Sequence, residues 1–201
     1  MSASVSRRLV LADVLNVFEY EKVRDARRRE IIALKQARRV AVGRYLSFVF
    51  ENRATVLFQV QEMCRVERIT EDARIQEELD VYNALLPQPG ELSATLMIEI
   101  GSEAEIKPVL DRFQGIDVGE HVRLQVGRDH AVPGRFEAGR SDTERGKLSA
   151  VHFLRFPFPP AAVRAFAAGE EAWLVVDHPA ERTRVGLGPE TRRALLEDLT
   201  G

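Results

Sequence analysis

The stretch NRATVLFQVQEMCRVERITEDARIQEELDVYNALLPQPGELSATLMIEI, residues 52–100, carries two helices and a strand with their boundaries marked. Asn52 is an N-cap, because its side chain can accept the first free backbone amides of a helix running from Arg53 to about Ile69. Thr70 caps a second helix, with Glu71 and Asp72 placed against its positive end. That helix runs to about Leu86, where Pro87-Gln88-Pro89-Gly90 stops it. From Glu91 to Ile100 the period changes to two, with Leu92, Ala94, Leu96, Ile98 and Ile100 on the inner face of a strand. An αα-hairpin followed directly by a β-strand predicts an α+β fold.

The flanks extend the same pattern. Towards the N-terminus, Asp13 to Arg39 reads as one helix, with Tyr20, Val23, Ile31 and Leu34 on a stripe. Gly43 ends it, and Arg44 to Glu51 follows as a strand presenting Leu46, Phe48 and Phe50 on one face. Towards the C-terminus, Ser102-Glu103-Ala104-Glu105 opens a short helix to about Phe113. His121–Val126 and Ala131–Glu137 form a hairpin around Gly127-Arg128-Asp129-His130. Ala138 to Lys147 is polar, with two glycines and no apolar period, and reads as an exposed loop. Leu148–Phe156 carries bulky residues on both faces, as a central strand does. Pro159 and Pro160 open a helix ending at Gly169. Strands at Ala172–Val176 and Arg182–Leu187 then flank Asp177-His178-Pro179, and Pro189 starts a last helix. The whole reads as a single α+β domain over residues 1–201, a helical N-terminal half with an αα-hairpin packed on a largely antiparallel β-sheet.

Composition bounds the function. Apolar residues make up 45% of the 201 and charged residues 30%, enough apolar material for a core without staples. A net charge of −2 gives no global field towards nucleic acid, membrane or an acidic substrate. The lone Cys64 excludes an intramolecular disulfide and any multi-cysteine metal site from this chain alone. Met1 to Val10 has no apolar run of signal-peptide length, and no stretch approaches the roughly 18–20 apolar residues of a spanning helix. The expected location is cytoplasmic. Walker, Gly-x-Gly-x-x-Gly, Gly-x-Ser-x-Gly and His-Glu-x-x-His motifs are all missing from the sequence.

Four motifs carry a resemblance. Phe50-Glu51-Asn52-Arg53, Gln59-x-Gln61-Glu62-Met63, Glu77-Glu78-Leu79-Asp80-x-Tyr82-Asn83 and Gly90-Glu91-Leu92-Ser93-Ala94-Thr95 resemble a bacterial family catalogued only as a domain of unknown function. The resemblance spans nearly the whole chain, from Tyr20-Glu21-Lys22 to Asp177-His178-Pro179. Genes of that family often lie beside rubrerythrin-like proteins and flavin or iron–sulfur oxidoreductases. The resemblance therefore implies a redox protein partner and a role in a redox or peroxide-handling system.

Two glutamates are the chemical candidates. On the first helix of the hairpin Glu62 sits within a second apolar stripe formed by Phe58, Val66 and Ile69. On the next helix Glu78 falls between Leu85 and Tyr82. Each lies eight residues from the turn at Thr70, which places both about 12 Å from it at one level. Two carboxylates facing each other in apolar surroundings raise one pKa or take up a cation. An acid/base site from Glu62, Glu78 and Tyr82 is one expectation, and a metal ion held by the glutamates with His152 and His178 is another. Against both, Arg65 and Arg74 are spaced to neutralise the pair. The Glu-x-x-His pattern of di-iron bundles is missing, since Arg65 and Val81 occupy the third positions.

The remaining candidates have simpler explanations. No two histidines have local ligand spacing. Cys64 lies on the main apolar stripe with Val56, Leu57, Val60 and Met63, as an inert buried thiol would. Lys22 to Arg39 holds eight basic residues and two acids. Without interleaved aromatics it reads as a solvated helix face or a docking surface, not as a nucleic-acid site. Two functions from different classes follow: a non-catalytic accessory protein of a redox system, or an enzyme or metal-binding protein using the glutamate pair.

Overall fold

A computed structural model describes residues 8–141 and 146–200. The middle of the loop expected at Ala138–Lys147 and most of the N-terminal segment before Val10 lie outside the described residues. Six α-helices and nine strands are seen among the described residues, an α+β fold with antiparallel pairing. The chain divides into two compact units. The first comprises residues up to Gln36 together with Glu51–Leu86, and the second Ala37–Phe50 together with Pro87 onward.

The first unit is helical. A single 3-10 turn at Leu11–Asp13 precedes α1 (Val17–Gln36), followed by α2 (Arg53–Val66) and α3 (Asp72–Asn83). α1 starts four residues later than the pattern predicts, because Asn16 caps it: its side chain accepts the Glu19 amide at 3.0 Å. Asp13 belongs to the preceding turn, where it accepts the Val10 amide and pairs with Arg53 at 2.6 Å. Asn52 and Thr55 cap α2 reciprocally, each side chain accepting the other's amide at 3.0 and 2.9 Å. Beyond the end of α2, Arg68 takes the left-handed region at φ +54° and lets the Ile69 amide reach the Cys64 carbonyl. Glu71, not Thr70, is the N-cap of α3, and it contributes no side-chain bond. Val56, Val60 and Cys64 on α2 and Ile75 and Leu79 on α3 are buried at i, i+4 spacing, which is why the two helices pair.

The second unit holds two sheets. β1 (Arg39–Val42), β2 (Leu46–Glu51), β3 (Glu91–Ile98), β7 (Val151–Pro157) and β6 (Arg135–Phe136) form one, in the order β1-β2-β3-β7-β6. β4 (Val122–Val126), β5 (His130–Pro133), β8 (Ala172–His178) and β9 (Glu181–Gly186) form the other, in the order β5-β4-β8-β9. α4 (Glu103–Arg112), α5 (Pro160–Ala167) and α6 (Pro189–Thr200) complete the unit. Its core includes Phe48, Phe50, Leu92, Leu124, Phe156, Leu174 and Leu195.

Two further boundaries differ from the sequence pattern. Residues 39–42, of which Arg39 is expected to end a helix, form β1 instead. They alternate exposed and buried and turn back through Gly43, at φ +59°, to pair with β2. The expected strand Ala131–Glu137 is two strands in different sheets: β5 pairs with β4, while β6 pairs with β7. Gly134 makes the crossing possible. A Cβ there would lie 3.0–3.2 Å from Leu154, Phe156 and the Val122 carbonyl. No helix among the described residues is long and apolar enough to cross a membrane.

Candidate functional site

The first unit carries the site. Tyr20 and Arg24, four residues apart, project from the same face of α1 and meet Glu62 of α2. Arg24 donates two hydrogen bonds to the carboxylate, Nε to Oε1 at 2.8 Å and Nη2 to Oε2 at 2.9 Å. The Tyr20 hydroxyl donates to Oε1 at 2.8 Å, and Arg65 Nη2 reaches Oε2 at 3.3 Å. This bidentate fork and its two further donors hold the Glu62 carboxyl down at about 2. Arg24 is the largest cause; partial burial opposes it, and Tyr20 and Arg65 add to it. Burial and the adjoining carboxylate push the Tyr20 phenol upward. Arg65 lies where the sequence places a neutralising partner, but Arg24, from another helix, is the principal one. The i, i+4 spacing of Tyr20 and Arg24 was the available signal, masked by the basic run around it.

Glu62 and Glu78 are not brought together. Glu78 lies beside Cys64 and Tyr82, and its charge raises the pKa of both, after burial as the larger cause. Two residues separate Glu62 from Cys64, a turn of about 200° around α2, so a group beside Cys64 lies on the far side of the helix from Glu62. Equal distance from the turn matches level along the axis and says nothing of direction around it. Arg74 makes no ion pair with Glu78, which is half-buried.

Both histidine candidates are in the second unit. His178 is used at both nitrogens: Nε2 donates to the Gln114 carbonyl at 3.1 Å, and Nδ1 accepts the Ala180 amide at 3.2 Å. Such a ring is neutral, as burial also favours, and keeps no lone pair for a metal. His152 is buried against Phe136, donates Nε2–H to the Ser149 carbonyl at 2.8 Å, and sets Nδ1 3.7 Å from Asp117. Among the described residues no group of three or more His, Cys, Asp or Glu is placed to hold a metal ion.

Cys64 is 1% exposed, and its thiol is pushed up by burial and by Glu78. It should resist iodoacetamide in the native protein at neutral pH and react fully once the chain is unfolded in urea. Rapid alkylation of the native protein would show that the α2–α3 packing opens in solution.

Beside the Glu62 cluster lies a cleft of about 400 Å³ between α1 and α2. Ile31 and Leu34 of α1, Leu57 and Phe58 of α2, and Leu15 line it. Its one fully buried amide is already satisfied: Gln61 clamps the Leu15 backbone, accepting its N–H at 2.9 Å and donating to its carbonyl at 2.7 Å. The cleft therefore offers mostly apolar walls, with Tyr20, Asp13, Arg27 and Glu30 also in its lining, in the size range of sites that take small molecules or an anchoring side chain. Val10 and Leu11, just ahead of Leu15, are exposed.

The basic run looks different in three dimensions. Arg24 is engaged by Glu62, Arg27 by Glu30 and Arg39 by Glu99, while Arg38 is buried on Asp198. Four of the eight cations counted in the sequence are thus committed to carboxylates.

A family model described as Protein of unknown function (DUF3501) matches residues 8–199. No curated protein matches the chain. Among solved structures, a crystal structure of a novel protein of unknown function from Burkholderia pseudomallei is 33% identical. The match covers 95% of this chain and 98% of that one, with a TM-score of 0.88.

Proposed function

From a chain that belongs to the family Protein of unknown function (DUF3501), a name without an activity, we propose a non-catalytic accessory protein of a cytoplasmic redox or peroxide-handling system. Its working surface is the α1–α2 cleft, which seats an apolar side chain of a partner protein. The open, mostly apolar cleft itself carries the proposal, together with Leu15 in its wall, which is 37% exposed. Apolar surface running into a pocket is the usual form of a protein-docking anchor. The redox setting rests on the family resemblance of the motifs at residues 50–95. The competing reading, an enzyme or metal-binding protein built on Glu62 and Glu78, has less support because the two carboxylates have different partners.

Two measurements in the native host test this. A photo-crosslinking residue at Leu57 should trap one oxidoreductase-system protein, and the same residue at exposed Glu77 should not. Metal analysis of the purified protein should give well under one ion per chain. A stoichiometric metal, or crosslinks no more selective at Leu57 than at Glu77, would overturn the proposal.

A further inference from the structure

The outer face of the four-stranded sheet in the second unit has a charge pattern that the docking cleft does not explain. Side chains alternate across a strand, so register fixes which residues share this face. Arg123 of β4 pairs with Val175 of β8, which pairs with Arg184 of β9, giving a row with two cations. One pleat further along, Gln125 pairs with Trp173, which pairs with Gly186. One pleat beyond that, the Gly127 amide bonds to the Glu171 carbonyl at 2.8 Å, and the Glu170 carboxylate lies against Gly127. These residues, Gly186 excepted, line an open groove of about 760 Å³ together with Arg128 and Asp129, whose formal charges cancel and leave the Glu170–Glu171 end net acidic.

The charges are unspent. Among the described residues, none of Arg123, Arg184, Glu170 and Glu171 forms an ion pair. Arg184 instead lies over the Trp173 ring at 3.6 Å, and the indole's edge lies 3.6–3.7 Å from where a Gly186 Cβ would be. Gln125 is tied to the carbonyls of Gly127 and Arg128, which holds the middle row in place. The middle row is equidistant from its neighbours. Arg123 and Gly127 lie two residues either side of Gln125, and Val175 and Glu171 lie two residues either side of Trp173.

A surface that is basic on one side of a central row and acidic on the other is complementary to itself after a half-turn. We propose that this face pairs two copies of the chain about a two-fold axis through the Trp173 row. Arg123 and Arg184 of each copy then meet Glu170 and Glu171 of the other, with the two indoles at the centre. Two-fold homodimers require this kind of self-complementary patch. A Trp flanked by arginine, inside a rim of charges, is the composition of an interface centre. A single acidic or basic ligand would satisfy only one of the two outer rows.

Sedimentation velocity across a concentration series tests the pairing, because the signs of the charges can be exchanged. The wild-type chain should dimerise reversibly, and less so when salt rises from about 50 to about 500 mM. The double variants Arg123→Glu/Arg184→Glu and Glu170→Lys/Glu171→Lys should each be monomeric, with far-ultraviolet spectra and melts near wild type. Mixed in equal amounts they should recover the dimer, since each now presents one sign to the other. Trp173→Ala should weaken association at least tenfold. A wild type that stays monomeric at high concentration, a dimer that survives both reversals, or a mixture that stays monomeric would overturn the proposal.

Discussion

Asp198→Ala is expected to lower the thermal midpoint more than any other single surface-to-core change in the second unit, by roughly 10 °C. Its partner Arg38 is 2% exposed, just ahead of β1, and its guanidinium forks onto the Asp198 carboxylate of α6 at 2.5 and 3.1 Å. A third bond runs from Nη2 to the Ala194 carbonyl at 3.3 Å. Removing the carboxylate leaves a cation with little access to water, and breaking a buried pair in this way costs about 3–5 kcal/mol. In a chain of this size each kcal/mol moves the midpoint by about 2–4 °C. The double substitution Arg38→Met/Asp198→Leu should recover most of the loss, because it removes both charges and fills the space. Calorimetry of the three variants measures this. A loss below about 1 kcal/mol for Asp198→Ala would mean that water reaches Arg38 in solution.

Arg38 also shows where sequence reasoning stops. Within a run of arginines after a long helix it counts as one more solvated cation. What makes it a core residue is Asp198, 160 positions away, and nothing local announces that contact. The same blindness hid β1, whose Arg39 continues a helical pattern until the β2 partner is known. Signals written into single residues fared better. Asn52 capped α2, Pro87 to Gly90 separated α3 from β3, and prolines opened α5 and α6, because each fixes a local backbone geometry. Gly134 lies between: it was visible as a glycine in a strand, but the two sheets it joins were not. The candidate site divides in the same way. Glu62 stood out as an acid in an apolar stripe, whereas its partner required knowing which face of α1 meets α2.

That partner determines what Glu62 does when it is changed. Two facing carboxylates would be relieved by Glu62→Gln, leaving stability unchanged or raised. The observed fork predicts the reverse. Arg24 and Glu62 are 27% and 23% exposed, so the pair is only partly shielded from solvent. Glu62→Gln should therefore cost about 2 kcal/mol at pH 7, less than a fully buried pair, or roughly 4–8 °C in the midpoint. The acid limb gives an independent check. The carboxyl sits at about 2 in the folded chain against an ordinary 4.5, so its contribution is complete above pH 4.5 and is lost as pH falls towards 2. In urea titrations the gap between wild type and Glu62→Gln should be constant from pH 7 to about 5 and close between about 4.5 and 2. At the bottom of that range a protonated Glu62 and a glutamine are nearly the same group to Arg24. Arg24→Ala should lose the same acid limb, because the fork is what lowers the carboxyl. Glu78→Gln should keep it and instead lower the pKa of the Tyr82 phenol, which absorbance near 295 nm follows directly. If the gap persists below pH 2, or if Glu62→Gln is as stable as wild type, Arg24 does not hold Glu62 in solution, and the pairing of the two glutamates becomes the better description of the helical unit.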